Sequence, residues 1–340
     1  MDSRSHIPTV NRYNSVRRRR RLLLSAVLIV ALAGLAVGVA TARRHDSPAA
    51  HRKPLFVRTD RAVKLKLLTQ LPKPPQLLIF GGSRATRFEP SYFQRLTGLR
   101  GFNLAFQNGR PEDAWAFVNF IHQRYPKARL RVVWFIHVEA FREQGLSMGL
   151  TQNARLSRWL PADLVASERR KLPTTQAEVP AGRDLALTRY SPDGAVLHNR
   201  YDLAVERGRR LSRSVDCSID AALERYSTTT PALFPRSKLY FRKTLGLLNE
   251  MGSTPAVVFM PLHPRLLAAV RPAGWEERHH EVVTYLDRLH KEYRFRVLDL
   301  SVLSSIGGDP QAFYDGFHVK RANARRLIDE VVTRWPQSFE

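Results

Sequence analysis

The chain has 340 residues, 44% of them hydrophobic and 25% charged, enough to bury the core of one large domain or two small ones. Its formal net charge of +25 attracts polyanions, but no zinc-ligand spacing or aromatic-basic platform accompanies that charge, which argues against a nucleic-acid reader. Cys217 is the only cysteine, which excludes an internal disulfide and a thiolate metal cluster.

Residues 1–53 hold eleven Lys/Arg against Asp2 and Asp46. Within them, residues 1–21 form a basic tail ending in the five arginines of 17–21, and 22–42 read LLLSAVLIVALAGLAVGVATA without a charge. That length matches the hydrocarbon core of a bilayer. The cationic flank places the N-terminus in the cytoplasm and the bulk of the chain outside. Ala40-Thr41-Ala42 also fits a signal-peptidase site, but the apolar run is longer than a signal core of about 7–15 residues. A single-pass anchor in the cell membrane is therefore the expectation, followed by a Pro-, Lys- and Arg-rich linker over 43–74.

From residue 75 apolar runs alternate with amphipathic ones. Strands are predicted at 76–80, 102–106, 131–138, 256–260 and 295–300. Helices are predicted at 89–99, 111–125, 237–251, 276–293 and 320–334; the second opens on Pro111 with Glu112 and Asp113 in its first turn. Continuous apolar strands between amphipathic helices indicate a parallel sheet covered on both faces. The expected fold is α/β: a flavodoxin-like three-layer sandwich over 75–335 with a five-stranded parallel sheet, whose functional loops lie at the carboxyl ends of the strands. Residues 139–235 break the rhythm. They read as an insertion without regular elements, apart from a hairpin around Ser191-Pro192-Asp193-Gly194, and such a length suits a lid or partner surface.

Polar residues converge on the strand ends. Gly81-Gly82-Ser83-Arg84 follows the first strand, Asn108-Gly109 the second, His263 the fourth, and Asp315-Gly316-Phe317-His318 precedes the last helix. A serine among small residues suits a hydroxyl nucleophile, because the backbone can turn sharply and a carbonyl can approach. An imidazole titrates near neutrality and suits a general base. Plainer roles exist for each. Ser83 could cap a helix, as could Asp315 and His318; Gly109 could supply a positive φ; His263 could be a loop residue; Arg84 could contact substrate or pair with a buried acid such as Glu112.

These motifs resemble the SGNH/GDSL hydrolase superfamily, in its subgroup with a Gly-x-Ser-Arg turn, which includes the exported D-alanyl-transfer protein of teichoic acid synthesis and related envelope acyl-modifying proteins. The likeness covers roughly 75–138 and 236–335, and includes the strand Asn103-Leu104-Ala105-Phe106 ending at Asn108-Gly109. It implies Ser83 as nucleophile, His318 as base and Asp315 as its orienter. It implies an oxyanion hole from the backbone N–H groups of Ser83 and Gly109, and substrate contacts at Arg84, Asn108 and His263. The usual Gly-x-Asn-Asp block is absent, and His263 of Met260-Pro261-Leu262-His263-Pro264 stands near its place. The implied activity is that of an extracytoplasmic serine esterase or O-acyltransferase on acylated envelope glycans or glycolipids, with an acyl-serine intermediate. No metal or cofactor enters that chemistry. A multi-pass membrane acyltransferase is the implied partner beside the membrane itself. The alternative is a non-catalytic module of the same fold that binds anionic envelope polymer.

Overall fold

The computed structural model describes residues 59–142, 144–174, 187–226 and 233–339. The basic tail and the expected anchor at 22–42 lie outside the described residues. Among those residues no helix is long and apolar enough to cross a membrane.

The architecture is α/β with one five-stranded parallel sheet, in a flavodoxin-like order. Its strands are β1 (Leu77–Gly81), β2 (Gly101–Ala105), β3 (Arg131–Ile136), β6 (Ala256–Phe259) and β7 (Arg296–Asp299), side by side as β2-β1-β3-β6-β7. Successive side chains of each strand point to opposite faces; β1, β2, β3 and β6 are buried on both, while edge strand β7 stays partly exposed. Leu78, Phe80, Val132, Trp134, Val257 and Phe259 pack into one apolar layer, while Leu77, Ile79, Val133, Phe135 and Val258 enter the other. The first layer is closed by α3 (Pro111–Arg124), α9 (Pro235–Glu250) and α11 (Glu276–Leu289), and the second by α2 (Pro90–Thr97) and α12 (Arg321–Arg334). Fully burying one such aliphatic or aromatic side chain contributes about 1.5–3 kcal/mol, so the alternation itself fixes the strand register.

Two expectations are corrected. Residues within the expected linker form a helix, α1 (Asp60–Thr69), capped by the Thr59 hydroxyl, which accepts from the Ala62 N–H at 3.3 Å. Leu65 and Leu68 join the core, and Lys64 is fully buried. A stretch rich in Lys and Arg reads as solvated, but here the charged heads turn inward to named acceptors. The insertion is likewise not irregular. It contains α4 (Met148–Thr151), α5 (Ala154–Ser157), α6 (Ala162–Arg170), the hairpin β4 (Arg189–Tyr190) and β5 (Val196–His198), α7 (Arg200–Glu206) and α8 (Leu211–Tyr226). The hairpin forms where the turn sequence predicts it, and Asn103 of edge strand β2 donates its N–H to Asp193 O at 2.8 Å. The remaining helix, α10 (Pro264–Val270), packs on α8 through Ala222, Leu266 and Leu267 in a separate apolar cluster.

Candidate active site

In this strand order the chain reverses direction between β1 and β3, and the crevice outside the carboxyl ends of those strands is where such folds bind ligands. β1 runs out into Gly81-Gly82. A Cβ on Gly81 would lie 2.7 Å from Ala85 Cβ and 2.9 Å from Phe135 O, so only glycine lets the chain fold straight into the 3-10 turn Ser83–Ala85. Ser83 opens that turn, and Gly82 rather than Ser83 is its N-cap.

The second half of the site is a tight loop. Phe313 and Val319 form an isolated antiparallel bridge, and Tyr314 N–H donates to His318 O at 2.8 Å. A Cβ on Gly316 would sit 2.7 Å from Ser218 Cβ, so α8 can press against the loop only at a glycine. The Asp315 carboxylate accepts from the N–H groups of Phe317 and His318 at 2.7 and 2.8 Å. It also lies 2.9 Å from His318 Nδ1. Neither residue caps α12, whose N-cap is Lys320.

The two halves meet. Ser83 Oγ is 2.9 Å from His318 Nε2. With Nδ1 on Asp315 and Nε2 on Ser83, the ring holds one proton against the acid and turns its lone pair to the hydroxyl. Burial alone would raise the Asp315 carboxyl, but His318 and the two backbone N–H groups outweigh it and hold it below the usual carboxylate range.

Ser83 and His318 line a cleft of about 200 Å³ together with Asn108, Gly109, Arg84 and Tyr201. The finer sequence assignments divide. Asn108 is exposed at the cleft with φ 49°, so the positive φ belongs to Asn108 and not to Gly109. Gly109 is instead demanded by space, since a Cβ there would meet Gly81 O at 2.3 Å. Its N–H, expected in the oxyanion hole, donates to Phe106 O at 3.0 Å. Arg84 is buried and pairs with Glu139 at 3.1 Å, with its guanidinium over the Phe317 ring; Glu112 pairs with Arg236. Arg84 therefore braces the cleft wall through this pair. His263 is buried away from the cleft lining. Its Nδ1 accepts from Arg265 N–H, its own N–H donates to Gly316 O at 3.0 Å, and its ring meets Phe313 edge-on. It steadies the loop that carries Asp315 and His318.

Four residues at the site escape the sequence reading. Tyr201 packs against His318 with ring centroids 4.3 Å apart and planes tilted by 34°, and its hydroxyl lies 3.1 Å from Nε2. Burial and the charge of Asp315 push its phenol up, so it stays neutral. Asp202 receives Arg87 and the Tyr314 hydroxyl, which ties α7 to both loops of the site; the cap signature Asn199-x-x-Asp202 could have located that helix. His137 and Glu139 follow β3 directly. Burial and Arg84 pull the His137 imidazole down to about 4. Burial would raise the Glu139 carboxyl, yet contact with His137 and the charge of Arg84 hold it well below the usual range. A His-x-Glu pair ending an apolar strand was the available signal.

No protein-family model matches the chain, and no curated protein matches it in sequence. The geometry of the cleft carries the functional reading.

Proposed function

We propose that the chain is a serine-dependent acyl-ester hydrolase or O-acyltransferase of the SGNH/GDSL type. The observation that supports this most is the continuous contact from Asp315 through His318 to the Ser83 hydroxyl, at 2.9 Å on each side of the ring. Serine is a weak nucleophile without such a base. Ser83 Oγ bonds to the acyl carbon while its proton moves to Nε2, and the carbonyl electrons move onto oxygen. As the first N–H of its turn, the Ser83 amide has no acceptor within the turn. It and the Asn108 carboxamide at the cleft mouth are the donors available to that oxyanion. Collapse expels the substrate alcohol, which takes the proton from Nε2 and leaves an acyl-serine. Water or a second hydroxyl then repeats the steps in reverse.

The apolar run at 22–42 behind five arginines supports a membrane-anchored enzyme working outside the cytoplasm; the resemblance adds acyl esters of envelope glycans or glycolipids as its substrate and a multi-pass acyltransferase as its partner. The test uses the full chain and p-nitrophenyl acetate. Nitrophenol release should fall to the uncatalysed rate in Ser83→Ala and drop about 10³–10⁴-fold in Asp315→Asn, as orienting carboxylates do in such triads. Equal release by Ser83→Ala would remove the proposal. A second reading, a non-catalytic module holding anionic polymer, draws on the commitment of the Gly109 N–H to Phe106. It predicts polymer binding that Ser83→Ala leaves intact and no ester turnover by the unaltered chain.

A further inference from the structure

His137 and Glu139 bring a second acid and imidazole to the cleft that holds Ser83. β3 ends at Ile136, so both residues leave it directly. His137 Nδ1 lies 3.1 Å from Glu139 Oε2, the oxygen that also takes Arg84 Nη2 at 3.1 Å. The contact at Nδ1 is bent rather than a straight hydrogen bond. Charge still decides the tautomer: a lone pair on Nδ1 would face a carboxylate, so the ring proton sits there and Nε2 carries the lone pair.

That lone pair faces the loop of the nucleophile. A Cβ on Gly82, next to Ser83, would lie 3.5 Å from His137 Nε2, and His137, Gly82, Ser83 and His318 line the same cleft. The contacts from Asp315 through His318 to Ser83 make no use of it. Burial and the charges of Arg84 and Arg142 outweigh Glu139 and keep the imidazole neutral down to about pH 4, so near neutrality Nε2 accepts and does not donate. The same charges that keep a proton off Nε2 oppose an ammonium group there. A neutral donor fits instead, and a hydroxyl is the neutral donor that a glycan carries beside its esters.

We propose that His137 is a specificity-determining residue, whose Nε2 accepts from a free hydroxyl of the substrate next to the ester that Ser83 attacks, while Glu139 and Arg84 hold the ring in place. The inference rests on the acyl-ester reading and narrows it to partly acylated polyhydroxy compounds, in which an ester and a free hydroxyl are neighbours. An ester without that hydroxyl leaves the acceptor unmet, and a site built around such a contact discriminates against it.

Methyl 3-O-acetylglucoside and its 2,4-dideoxy analogue present the same ester with and without flanking hydroxyls. Two measurements on the full chain compare them: kcat/KM for acetate release by the unaltered chain, and calorimetric affinity for Ser83→Ala, which needs no turnover. In both, the hydroxylated sugar should be favoured about tenfold, the scale of one hydrogen bond. Adding His137→Phe should abolish the preference. His137→Gln, whose Oε1 can take the place of Nε2, should restore part of it. Each figure is a ratio within one variant, so a general loss of activity does not imitate the effect. If His137→Phe fails to fold, Gly82→Ala decides. Gly82 has φ −83°, and an added methyl would meet only His137 Nε2 at 3.5 Å and Gly109 O at 3.9 Å. The methyl therefore fits, covers the lone pair and should lower the preference. No preference in either measurement, or one that survives the substitution, would overturn the assignment. A preference in binding without acetate release by the unaltered chain would keep the role of His137 and sink only the acyl chemistry.

Discussion

At the residue scale, the imidazole of His318 is held on three sides. Asp315 takes Nδ1, Ser83 reaches Nε2, and Tyr201 packs against the ring at a 34° tilt with its hydroxyl on the same nitrogen. Two hydroxyls on one lone pair compete, so the tyrosine contributes ring orientation and costs some base strength. The two effects separate by substitution. Tyr201→Phe keeps the packed ring and should leave the rate of Ser83 acylation by p-nitrophenyl acetate within about threefold of the unaltered chain, or raise it. Tyr201→Ala removes the packing and should lower that rate about 10- to 100-fold, the scale on which a misplaced catalytic group is felt. Equal losses in both would assign the effect to the hydroxyl instead. Arg84 illustrates a different lesson. A charged side chain beside a nucleophile reads as a substrate contact, yet burial forces it to find an acid, and the nearest is Glu139, just past β3.

At the element scale, α1 braces the loop after β2. Arg61 bonds Asp113 and the carbonyls of Gln107 and Asn108, while Asp60 accepts from the Gln107 N–H at 2.8 Å. Lys64 donates to Asn103 Oδ1 at 3.0 Å and to Ala105 O at 2.5 Å. Asn103 in turn donates to the carbonyls of Ala85 and Phe88, so one buried lysine supports the turn that presents Ser83. Burial lowers its amine to about 7. Between that value and the ordinary 10.5, the unfolded chain holds a proton that the folded one has released, so stability rises with pH across this window. The contribution is complete above 10.5 and is lost as pH falls to 7. Urea midpoints of the unaltered chain should therefore rise relative to those of Lys64→Met from pH 7 to pH 9. A constant gap would mean that Lys64 stays charged when folded.

Such bracing explains what could be read from sequence and what could not. The strands and the helices α3, α9 and α12 were legible because their apolar periodicity faces a core. The meeting of Ser83, Asp315 and His318 was legible because these residues stand beside small residues or turn signals at strand ends. α1 was hidden because its inward face carries Arg61 and Lys64, which satisfy their charges on residues about 40–50 positions away. Tyr201 was hidden because its role depends on where Arg87 and Tyr314 anchor α7, a tertiary fact with no local pattern.

At the scale of the whole molecule, the sheet order sets the site. Ser83 after β1, His137 after β3 and Asn108 after β2 share one crevice because β1 lies between β2 and β3. The insertion closes over that rim, and Gly316 against Ser218 fixes its approach. The net charge of +25 gains a local meaning there, since Arg84, Arg110 and three arginines of the insertion line the same opening. Everything depends on whether the Ser83 hydroxyl is chemically activated by His318. The direct measurement treats the full chain with a fluorophosphonate and locates the adduct by peptide mass. The account predicts a single adduct on Ser83, formed at least about 100-fold more slowly in His318→Ala. An adduct elsewhere, none at all, or a rate that His318→Ala leaves unchanged would contradict it.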